Sequence, residues 1–423
     1  MVSTTFLLSM GTYLMGCTFF TYFCMIADPN ESRLAYLLSI ELPDKLTSKL
    51  GKLIGPKYSK HFANVYDYSL LCLYLVIVGG SWFVIFAVVY PRIDASTTVS
   101  NVHKYIGLVV CASCFQSWRF ASGKSPGIIT ARSIPKYENY PYDNALFVEG
   151  RICPTYGIPK LPRSKFDRYT ELHIARFDHF CGWLHNPIGE ENYRWFLLFL
   201  LVHIGMCIYG FVICGYLFLD EVKEKRLWEV TFYNAATNTK FSADLWIVMQ
   251  FLVQRNQMLS SVFFLMGVMV ITLGMFLGYH CWITSRGMTT NETFKWSELK
   301  QWHQRETKIF NEAVKAGLVI HNTISITKPE LGDGDVTCTG AASKKENEVK
   351  EEVVEEQERP PVSNPGPMPT NIYNNGFIEN WKDIIFPRSL RAPALERYRL
   401  SLSREPNEQK ENSFQSFSKE KSS

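Results

Sequence analysis

The sequence predicts a mainly α-helical membrane protein with four to five transmembrane helices and an irregular cytosolic domain of the cysteine-rich type. Hydrophobic residues make up 47% of the chain, and they gather in long runs without Asp, Glu, Lys or Arg. These runs cover residues 2–27, 69–91, 195–219 and 257–284. Each exceeds the roughly 20 residues that cross a bilayer core, so each is expected to form a transmembrane helix.

A fifth candidate span lies at residues 105–118, a short apolar stretch between Lys104 and Arg119. Long basic side chains extend toward the interface from the ends of such helices, so a fifth span is expected here. The apolar stretch 244–253 is too short to cross and is expected to lie at the membrane surface. The first run has no basic segment before it and no small-residue cleavage site, which predicts a retained helix rather than a signal peptide.

The distribution of basic residues predicts the orientation. Lys and Arg are concentrated in residues 28–68 and 119–194, whereas residues 92–104 carry few and residues 220–256 balance theirs with acids. By the positive-inside rule, residues 28–68, residues 119–194 and the C-terminal tail are cytosolic, and residues 220–256 are lumenal. The formal net charge of +4 gives no support for nucleic-acid binding.

Composition divides the chain into segments of different character. Residues 1–118 are predicted to hold the first three transmembrane helices, with the loop 28–68 between the first two. The Pro- and Gly-rich residues 119–194 are predicted to form the irregular cytosolic domain. The remaining segments are 195–284 with two further transmembrane helices and the lumenal loop 220–256, 285–329 with an amphipathic cytosolic helix near 302–316, a disordered acidic linker at 330–369, an aromatic-rich motif at 370–390, and a disordered tail at 391–423.

The chain has 11 Cys, but their placement argues against a disulfide scaffold. Those other than Cys153, Cys181 and Cys338 lie in or at the edges of the apolar runs, where Cys behaves as a small hydrophobic residue. The three exceptions fall in segments predicted to be cytosolic, where a reducing environment disfavours disulfides. No disulfide is therefore expected.

The segment RFDHFCGWLHNP, residues 176–187, carries an acid, an imidazole and a thiol within four residues. A thiol becomes a strong nucleophile when a base takes its proton and a third group orients that base. In a tight turn, His179 is expected to reach the sulfur of Cys181 while Asp178 fixes the tautomer of the ring. The alternative is that Cys181 and His179 are merely packed among their aromatic neighbours.

Residues 178–196 resemble the core signature of the DHHC-type protein S-acyltransferases, DHHCxWxxNCxGxxNxxxF. Residues 289–292, TTNE, resemble the TTxE motif of that family, and residues 371–381 resemble its C-terminal palmitoyltransferase motif. On these motifs the chain is identified as a member of the family, in the subgroup with extra N-terminal helices that includes zDHHC-four, Swf-type and plant proteins. The resemblance covers most of residues 100–390.

The resemblance implies an enzyme that transfers a long-chain acyl group, palmitoyl, from acyl-CoA to cysteines of membrane-associated proteins. Cys181 would carry the acyl group, His179 would be the base, and Asp178 would orient it. The supporting residues implied by matching positions are Thr290, Glu292, Asn380, Trp183, Asn186 and Asn192. The implied partners are acyl-CoA as co-substrate, protein thiols and the lipid bilayer, without a prosthetic group. The implied location is the endoplasmic reticulum or the Golgi.

The family also implies two structural zinc ions, bound by a C-x2-C-x9-HC-x2-C-x2-C pattern, the second His of the signature and a later Cys. The corresponding positions in this chain are Cys153, Tyr156, Phe166, Asp167, Thr170, His173, Phe180 and Pro187. Only Cys153 keeps its type, and Tyr, Phe, Thr and Pro cannot complete tetrahedral sites. Residues 159–164, PKLPRS, still match the family's KPxRS, so the ligands are missing rather than misaligned. No zinc is expected, with Cys153 and His173 as remnants at most, and an apolar cluster around Phe180 is expected in its place.

Two functions from different classes remain open at this point. Structural zinc contributes folding free energy, and a nucleophile displaced by about 1 Å loses on the order of a hundredfold in rate. A loop without zinc would therefore also suit a pseudoenzyme of the same fold that binds acyl groups or partner proteins without turnover. A transporter or channel is disfavoured because it would need ionisable residues in several spans, and the apolar runs contain almost none.

Overall fold

The structure is a computed structural model that describes residues 68–234, 238–316 and 364–403. The predicted first span at 2–27, nearly all of the loop 28–68, and most of the linker 330–369 with Cys338 lie outside the described residues.

The described residues are mainly helical, with three small hairpins. In chain order the helices are α1 (Ser69–Val84), α2 (Tyr90–Ala95), α3 (Val102–Gly123), α4 (Ile134–Tyr137), α5 (Tyr193–Glu224), α6 (Leu245–Arg255), α7 (Gln257–Ser285), α8 (Thr290–Lys315), α9 (Phe377–Ile385) and α10 (Ala392–Ser403). A π-helical turn, Ile85–Val89, joins α1 to α2, and a 3-10 turn, Arg388–Leu390, precedes α10. The antiparallel hairpins are β1 (Lys165–Asp167) with β2 (Leu172–Ile174), β3 (His179–Cys181) with β4 (Asn186–Ile188), and β5 (Thr231–Asn234) with β6 (Thr239–Ser242).

Three helical segments of the described residues are long and apolar enough to cross a membrane. They are the continuous segment Ser69–Ala95, which includes α1 and α2, and the helices α5 and α7. These segments contain the apolar runs 69–91, 195–219 and 257–284, so the chain has candidate membrane-spanning helices where those runs predict them, as a membrane protein does. The short apolar stretch 244–253 falls in α6, which has 11 residues and is too short to cross.

The candidate span at 105–118 lies within α3, which has 22 residues. α3 is not among the three segments because Lys104, Arg119 and several small polar residues lie within the helix and lower its apolar content. It nevertheless runs antiparallel to α5. Tyr209 on α5 donates a hydrogen bond to the carbonyl of His103 near the start of α3, at 3.0 Å. Near its end, the ring of Phe120 contacts that of Trp195 at 4.9 Å.

Three helix ends meet at one end of the bundle. α7 is antiparallel to α5, since His280 near the end of α7 meets Tyr193 at the start of α5. α1 begins beside the first half of α5, where Tyr74 bonds to His203 at 2.9 Å. The end of α3, the start of α5 and the end of α7 therefore meet at one end of the bundle, and residues 124–192, α8, α9 and α10 all attach there.

The loop domain between α3 and α5 is built from tight turns and short hairpins, which agrees with its Pro and Gly content. Its packing is close at Gly189, where an added Cβ would lie 2.5 Å from both the side chain of Ile174 and the carbonyl of Pro126. Any larger residue would separate the end of β4 from β2 and from the turn after α3. Gly189 thus holds β4 against the rest of the domain.

Two sequence expectations are corrected on the C-terminal side. The cytosolic helix predicted near 302–316 begins earlier, at Thr290, because Thr289 and Glu292 form a capping box around its first turn. The tail predicted to be disordered from residue 391 contains the helix α10, which packs against α4. This helix buries Ala394, and Arg397 donates a hydrogen bond to the carbonyl of Pro135 at 2.9 Å. The many charged residues of this tail predicted disorder, and its contacts with α4 join residues too far apart for a local sequence pattern to indicate.

Candidate active site

Asp178 immediately precedes β3, and His179 and Cys181 are the first and last residues of that strand. In a strand, alternate side chains point to the same face, so His179 and Cys181 share one face and Phe180 points to the other. Pairing with β4 fixes this register, with Cys181 opposite Asn186. An extended strand, rather than the expected tight turn, therefore brings the imidazole and the thiol to one side.

The carboxylate of Asp178 is fully enclosed by hydrogen-bond donors. His179 Nδ1 lies 2.7 Å from Asp178 Oδ2, the backbone N–H of Thr290 donates to Oδ1 at 2.8 Å, and the Thr290 hydroxyl donates to Oδ2 at 2.9 Å. Such charge-assisted bonds fix both the position of the acid and the tautomer of the imidazole. The second Thr of the TTxE motif thus orients the acid that orients the base.

The electrostatics of this pair favour an ionised state. Burial opposes ionisation of Asp178, but the hydrogen bonds from His179 and Thr290 outweigh it and hold the pKa of Asp178 well below its usual range. Burial likewise opposes a charge on His179, but its hydrogen bond to Asp178 and its interaction with Cys181 raise the pKa of His179 to about 10. A histidine held in its charged form therefore lies on the same strand face as Cys181.

The thiol of Cys181 lies at the boundary between the loop domain and the helices. Cys181 is 2% exposed and belongs to an apolar cluster with residues from α3, α5 and α9. The Nε2 atom of His179 is also buried and has no hydrogen-bond partner among the described residues. The nucleophile and the free nitrogen of its base thus face an apolar environment rather than water.

His280 on α7 lies beside the catalytic pair, although no motif predicts it. Potential ligand atoms of Asp178, His179 and His280 lie within 4.8 Å of one another, the one such group of three or more in the described chain. The Nδ1 atom of His280 is 2.9 Å from the hydroxyl of Tyr193. Sequence offered one signal for His280, because it is the single histidine in the run 257–284, which contains no Asp, Glu, Lys or Arg.

Glu292 of the TTxE motif forms a buried ion pair with Arg163 of the loop domain. Arg163 donates to both carboxylate oxygens of Glu292, at 2.6 and 2.7 Å, and the two side chains are 3% and 1% exposed. Burial opposes the charge on Arg163, but Glu292 outweighs it and raises the pKa of Arg163. The guanidinium also lies over the rings of Tyr140 and Tyr373, at 5.0 and 4.7 Å. One arginine therefore joins the loop domain, α8 and the C-terminal motif.

Asn380, predicted as a supporting residue, ties the C-terminal motif to the end of α7. Its Nδ2 donates to the carbonyl of Ser285 at 3.0 Å and to Asn374 at 2.8 Å, and its Oδ1 accepts from the backbone of Asn375 at 3.0 Å. Asn380 does not contact the catalytic group. Its role in this geometry is to place α9 against the span.

The other three predicted supporting residues act within the loop domain. Asn186 donates to the carbonyls of Ala121 and Lys124, at 3.2 and 3.0 Å, and so fixes β4 to the end of α3. Asn192 accepts from the backbone of Gly189 and donates to the carbonyl of Pro187, both at 2.9 Å. Trp183 packs against the apolar cluster around Cys181.

The family's zinc positions hold contacts of other kinds. The carboxylate of Asp167 accepts hydrogen bonds from the hydroxyl and backbone of Thr170, at 2.6 and 3.1 Å. The Tyr156 hydroxyl donates to the carbonyl of Glu171 at 2.6 Å, and its ring lies 6.0 Å from that of Phe166. The buried His173 Nε2 is 3.0 Å from the hydroxyl of Ser164, and the buried Cys153 packs in an apolar cluster.

Phe180 stands in an aromatic column formed by Tyr169, Phe180, His185 and Tyr68. Phe180 stacks on Tyr169 at 4.6 Å and meets the edge of His185 at 5.8 Å, and His185 stacks on Tyr68 at 3.8 Å. Phe180 also faces Pro187 across the hairpin. Neither residue offers a metal ligand, so the side chains at these positions do not fit two structural zinc ions.

The chain is similar in sequence to known proteins. A family model described as DHHC palmitoyltransferase matches residues 146–297. Palmitoyltransferase SWF1 of Yarrowia lipolytica is 29% identical, covering 64% of this chain and 68% of that protein. Palmitoyltransferase SWF1 of Neurospora crassa is 25% identical, covering 60% and 58%, and Palmitoyltransferase ZDHHC4 of Mus musculus is 26% identical, covering 42% and 52%. The chain thus spans about half to two thirds of the length of these relatives.

Proposed function

Because residues 146–297 belong to the DHHC palmitoyltransferase family, we propose that this chain is a membrane-bound protein S-acyltransferase that carries the acyl group on Cys181. The observation that carries the proposal is the arrangement on β3. A buried thiol and a charged imidazole share one strand face, and the imidazole is held by a carboxylate that the TTxE motif fixes. This is the geometry that an activated thiol nucleophile requires.

The transfer takes two steps. In the first, the Cys181 thiolate attacks the carbonyl carbon of a palmitoyl-CoA thioester, the bond from that carbon to the CoA sulfur breaks, and the CoA thiolate takes the proton held on His179. In the second, neutral His179 takes the proton of a substrate cysteine, whose sulfur attacks the acyl group and releases the Cys181 thiolate. Asp178 remains ionised throughout and stabilises the imidazolium, as in other triads.

The apolar surroundings of Cys181 support a long-chain donor. The cluster around it continues from the loop domain into the bundle through half-buried residues of α1, α3 and α7, namely Tyr74, Trp118, Leu273, Phe276 and Leu277. An acyl chain attached to Cys181 and directed toward the bundle would remain in apolar contact. Palmitoyl is the proposed group, and thiols of membrane-associated proteins are the proposed acceptors.

In this proposal, packing between side chains does for the loop domain what zinc does in other family members: it keeps the domain folded. In this proposal the aromatic column supports one face of β3, while the Asp167–Thr170 bonds close the turn between β1 and β2. The Arg163–Glu292 pair adds a connection to α8 that zinc would not supply. The enzyme would then work without a metal or a prosthetic group.

The proposed topology has α3 as a further span beside the three apolar segments. Its antiparallel course along α5 supports this, and so does the attachment of the loop domain, α8, α9 and α10 to one end of the bundle. The basic residues of 119–194 would place that end in the cytosol. The endoplasmic reticulum or Golgi is the proposed location, on family resemblance alone.

The decisive experiment is incubation of the purified full-length protein with an alkyne-tagged palmitoyl-CoA. We expect hydroxylamine-sensitive label on the wild type and none on Cys181→Ser, because an oxygen ester would resist hydroxylamine and the neutral serine hydroxyl is a poor nucleophile here. Cys72→Ser is the matched control, since Cys72 is exposed near the start of α1 and should not alter the label. Absence of label on the wild type, or equal label on Cys181→Ser, would refute the proposal.

A pseudoenzyme of the same fold is the weaker candidate. It would explain the lost zinc ligands, but it would not require an ionised Asp178–His179 pair aimed at a thiol. The family match and the curated palmitoyltransferase names of its relatives also favour an enzyme.

A further inference from the structure

His280 is a buried ionisable side chain at the membrane end of the site. It is 1% exposed, and its ring meets those of Phe196 and Phe276 edge-on at 5.0 and 4.6 Å. Its Nδ1 pairs with the hydroxyl of Tyr193 at 2.9 Å, and the same hydroxyl lies 3.2 Å from the hydroxyl of Thr284. A hydrogen-bonded chain between α5 and α7 thus fixes the orientation of the His280 ring.

The fixed ring faces the catalytic pair. The ring centroids of His179 and His280 are 5.7 Å apart, with a tilt of 38°. The titratable groups around His280 are Asp178 and His179 from the loop domain, Tyr193 from α5 and Tyr279 from its own helix. Ionisable residues within spans are costly and are usually kept for function.

His179 needs a support on this side. Its Nδ1 is fixed by Asp178, but its Nε2 has no hydrogen-bond partner among the described residues, so one bond alone would leave the ring free to tilt. The rings of Phe196 and His280 close against it at 5.1 and 5.7 Å and limit that tilt. Displacement of a reacting group by about 1 Å costs on the order of a hundredfold in rate.

We propose that His280, held by Tyr193, is a positioning residue for acyl transfer that keeps the imidazole of His179 aimed at Cys181. The proposal rests on the proposed function and adds a residue from a membrane span to the machinery of the loop domain. His280 itself neither touches the acyl group nor carries a proton in the reaction.

The test is single-turnover acylation of the full-length protein with palmitoyl-CoA, in which the rate constant and the labelled fraction are measured separately. We expect His280→Leu to be slower by up to about a hundredfold while its labelled fraction stays near that of the wild type. His280→Asn loses the ring but keeps a polar atom at the place of Nδ1, so it should recover part of the rate lost in His280→Leu, because it can still bond to Tyr193. Tyr193→Phe should be slowed in the same direction as His280→Leu.

Ile283→Ala is the matched control, since Ile283 is fully buried on the same helix and contributes packing without polar groups. It should lower the unfolding temperature and the labelled fraction and leave the rate constant unchanged. A His280→Leu variant that behaves like this control, or a His280→Asn variant no better than His280→Leu, would overturn the proposal.

A second readout separates this proposal from the function on which it rests. Alkylation of Cys181 by N-ethylmaleimide at pH 7, followed by mass spectrometry of its peptide, reports thiolate formation without acyl-CoA. We expect slower alkylation in His280→Leu than in the wild type, and an intermediate rate in His280→Asn. If the wild type takes no acyl label, the proposed function fails, and equal alkylation rates in all three proteins would then refute the positioning role as well.

Discussion

Asp178→Asn should lower the rate of Cys181 acylation by about ten-thousandfold, the loss that the same change causes in a Ser-His-Asp protease. Asp178 accepts hydrogen bonds from His179 and twice from Thr290, and an amide at this place must turn its NH2 group toward one of these donors. If the amide donates to His179 Nδ1, the proton of the ring moves to Nε2. The imidazole would then be unable to take a proton from Cys181.

The same variant should change the pH dependence of stability. The pKa of His179 is raised from 6.5 to about 10 in the folded protein, so its charge stabilises the fold fully below pH 6.5, and this contribution is lost as pH rises to about 10. Without the carboxylate the pKa of His179 falls, and the loss of stability over this window should be smaller. Thermal unfolding followed from pH 6 to 10 measures both curves.

Asp167→Asn is the control for the acid. Asp167 is also buried in the loop domain, but its bonds go to Thr170 and not to the catalytic group. Its acylation rate should remain near that of the wild type. An Asp178→Asn variant that retains more than about a tenth of the rate would contradict the role of Asp178 as the orienting acid, since such a loss falls far short of that for a wrong tautomer.

Apolar runs predicted three long helices of the described bundle, because such runs without charges have few structures open to them in a membrane. The motif at residues 178–181 singled out Asp178, His179 and Cys181 as a candidate catalytic group. It did not predict how they meet, because a pattern of three residues does not distinguish a turn from a strand. Pairing of β3 with β4 in one hairpin decides this.

Glu292→Ala is expected to lower the free energy of unfolding by about 3–5 kcal/mol, the usual cost of removing one partner from a buried ion pair. Arg163 would remain charged and 3% exposed between Tyr140 and Tyr373, without the two bonds to Glu292. The capping box of α8 would also lose its acid, and with it the placement of Thr290 against Asp178. The acylation rate should therefore fall together with stability.

Two control variants test whether the loss of stability comes from the buried Arg163–Glu292 pair or from removal of any charge. Glu312→Gln removes the acid of an exposed pair with Lys308 on the same helix and should have no measurable effect on unfolding. The double variant Arg163→Met/Glu292→Leu should recover part of the lost stability, because it leaves no buried charge unpaired. If Glu292→Ala unfolds at the wild-type midpoint, the pair does not hold α8 to the loop domain.

Most features that the sequence did not predict depend on contacts between residues far apart in the chain. The early start of α8 is the exception, because the capping box at residues 289–292 is a local signal. In contrast, α10 depends on contacts of Arg397 with the distant α4 region. His280 lies beside His179 because α7 packs against α5, and no local sequence pattern predicts that packing. Local chemistry can be predicted from residues 176–187, but its supports come from residues about 100 to 200 positions away in the chain.

The central claim is that Cys181 is an acyl-accepting nucleophile held by packing instead of zinc. The most direct measurement is zinc content by elemental analysis, made on the same purified sample whose acylation at Cys181 is quantified by mass spectrometry before and after treatment with a chelator. We predict label on Cys181 at near-equal levels in both samples, with far less than one zinc ion per chain. About two zinc ions per chain, or loss of the label on chelation, would contradict the claim.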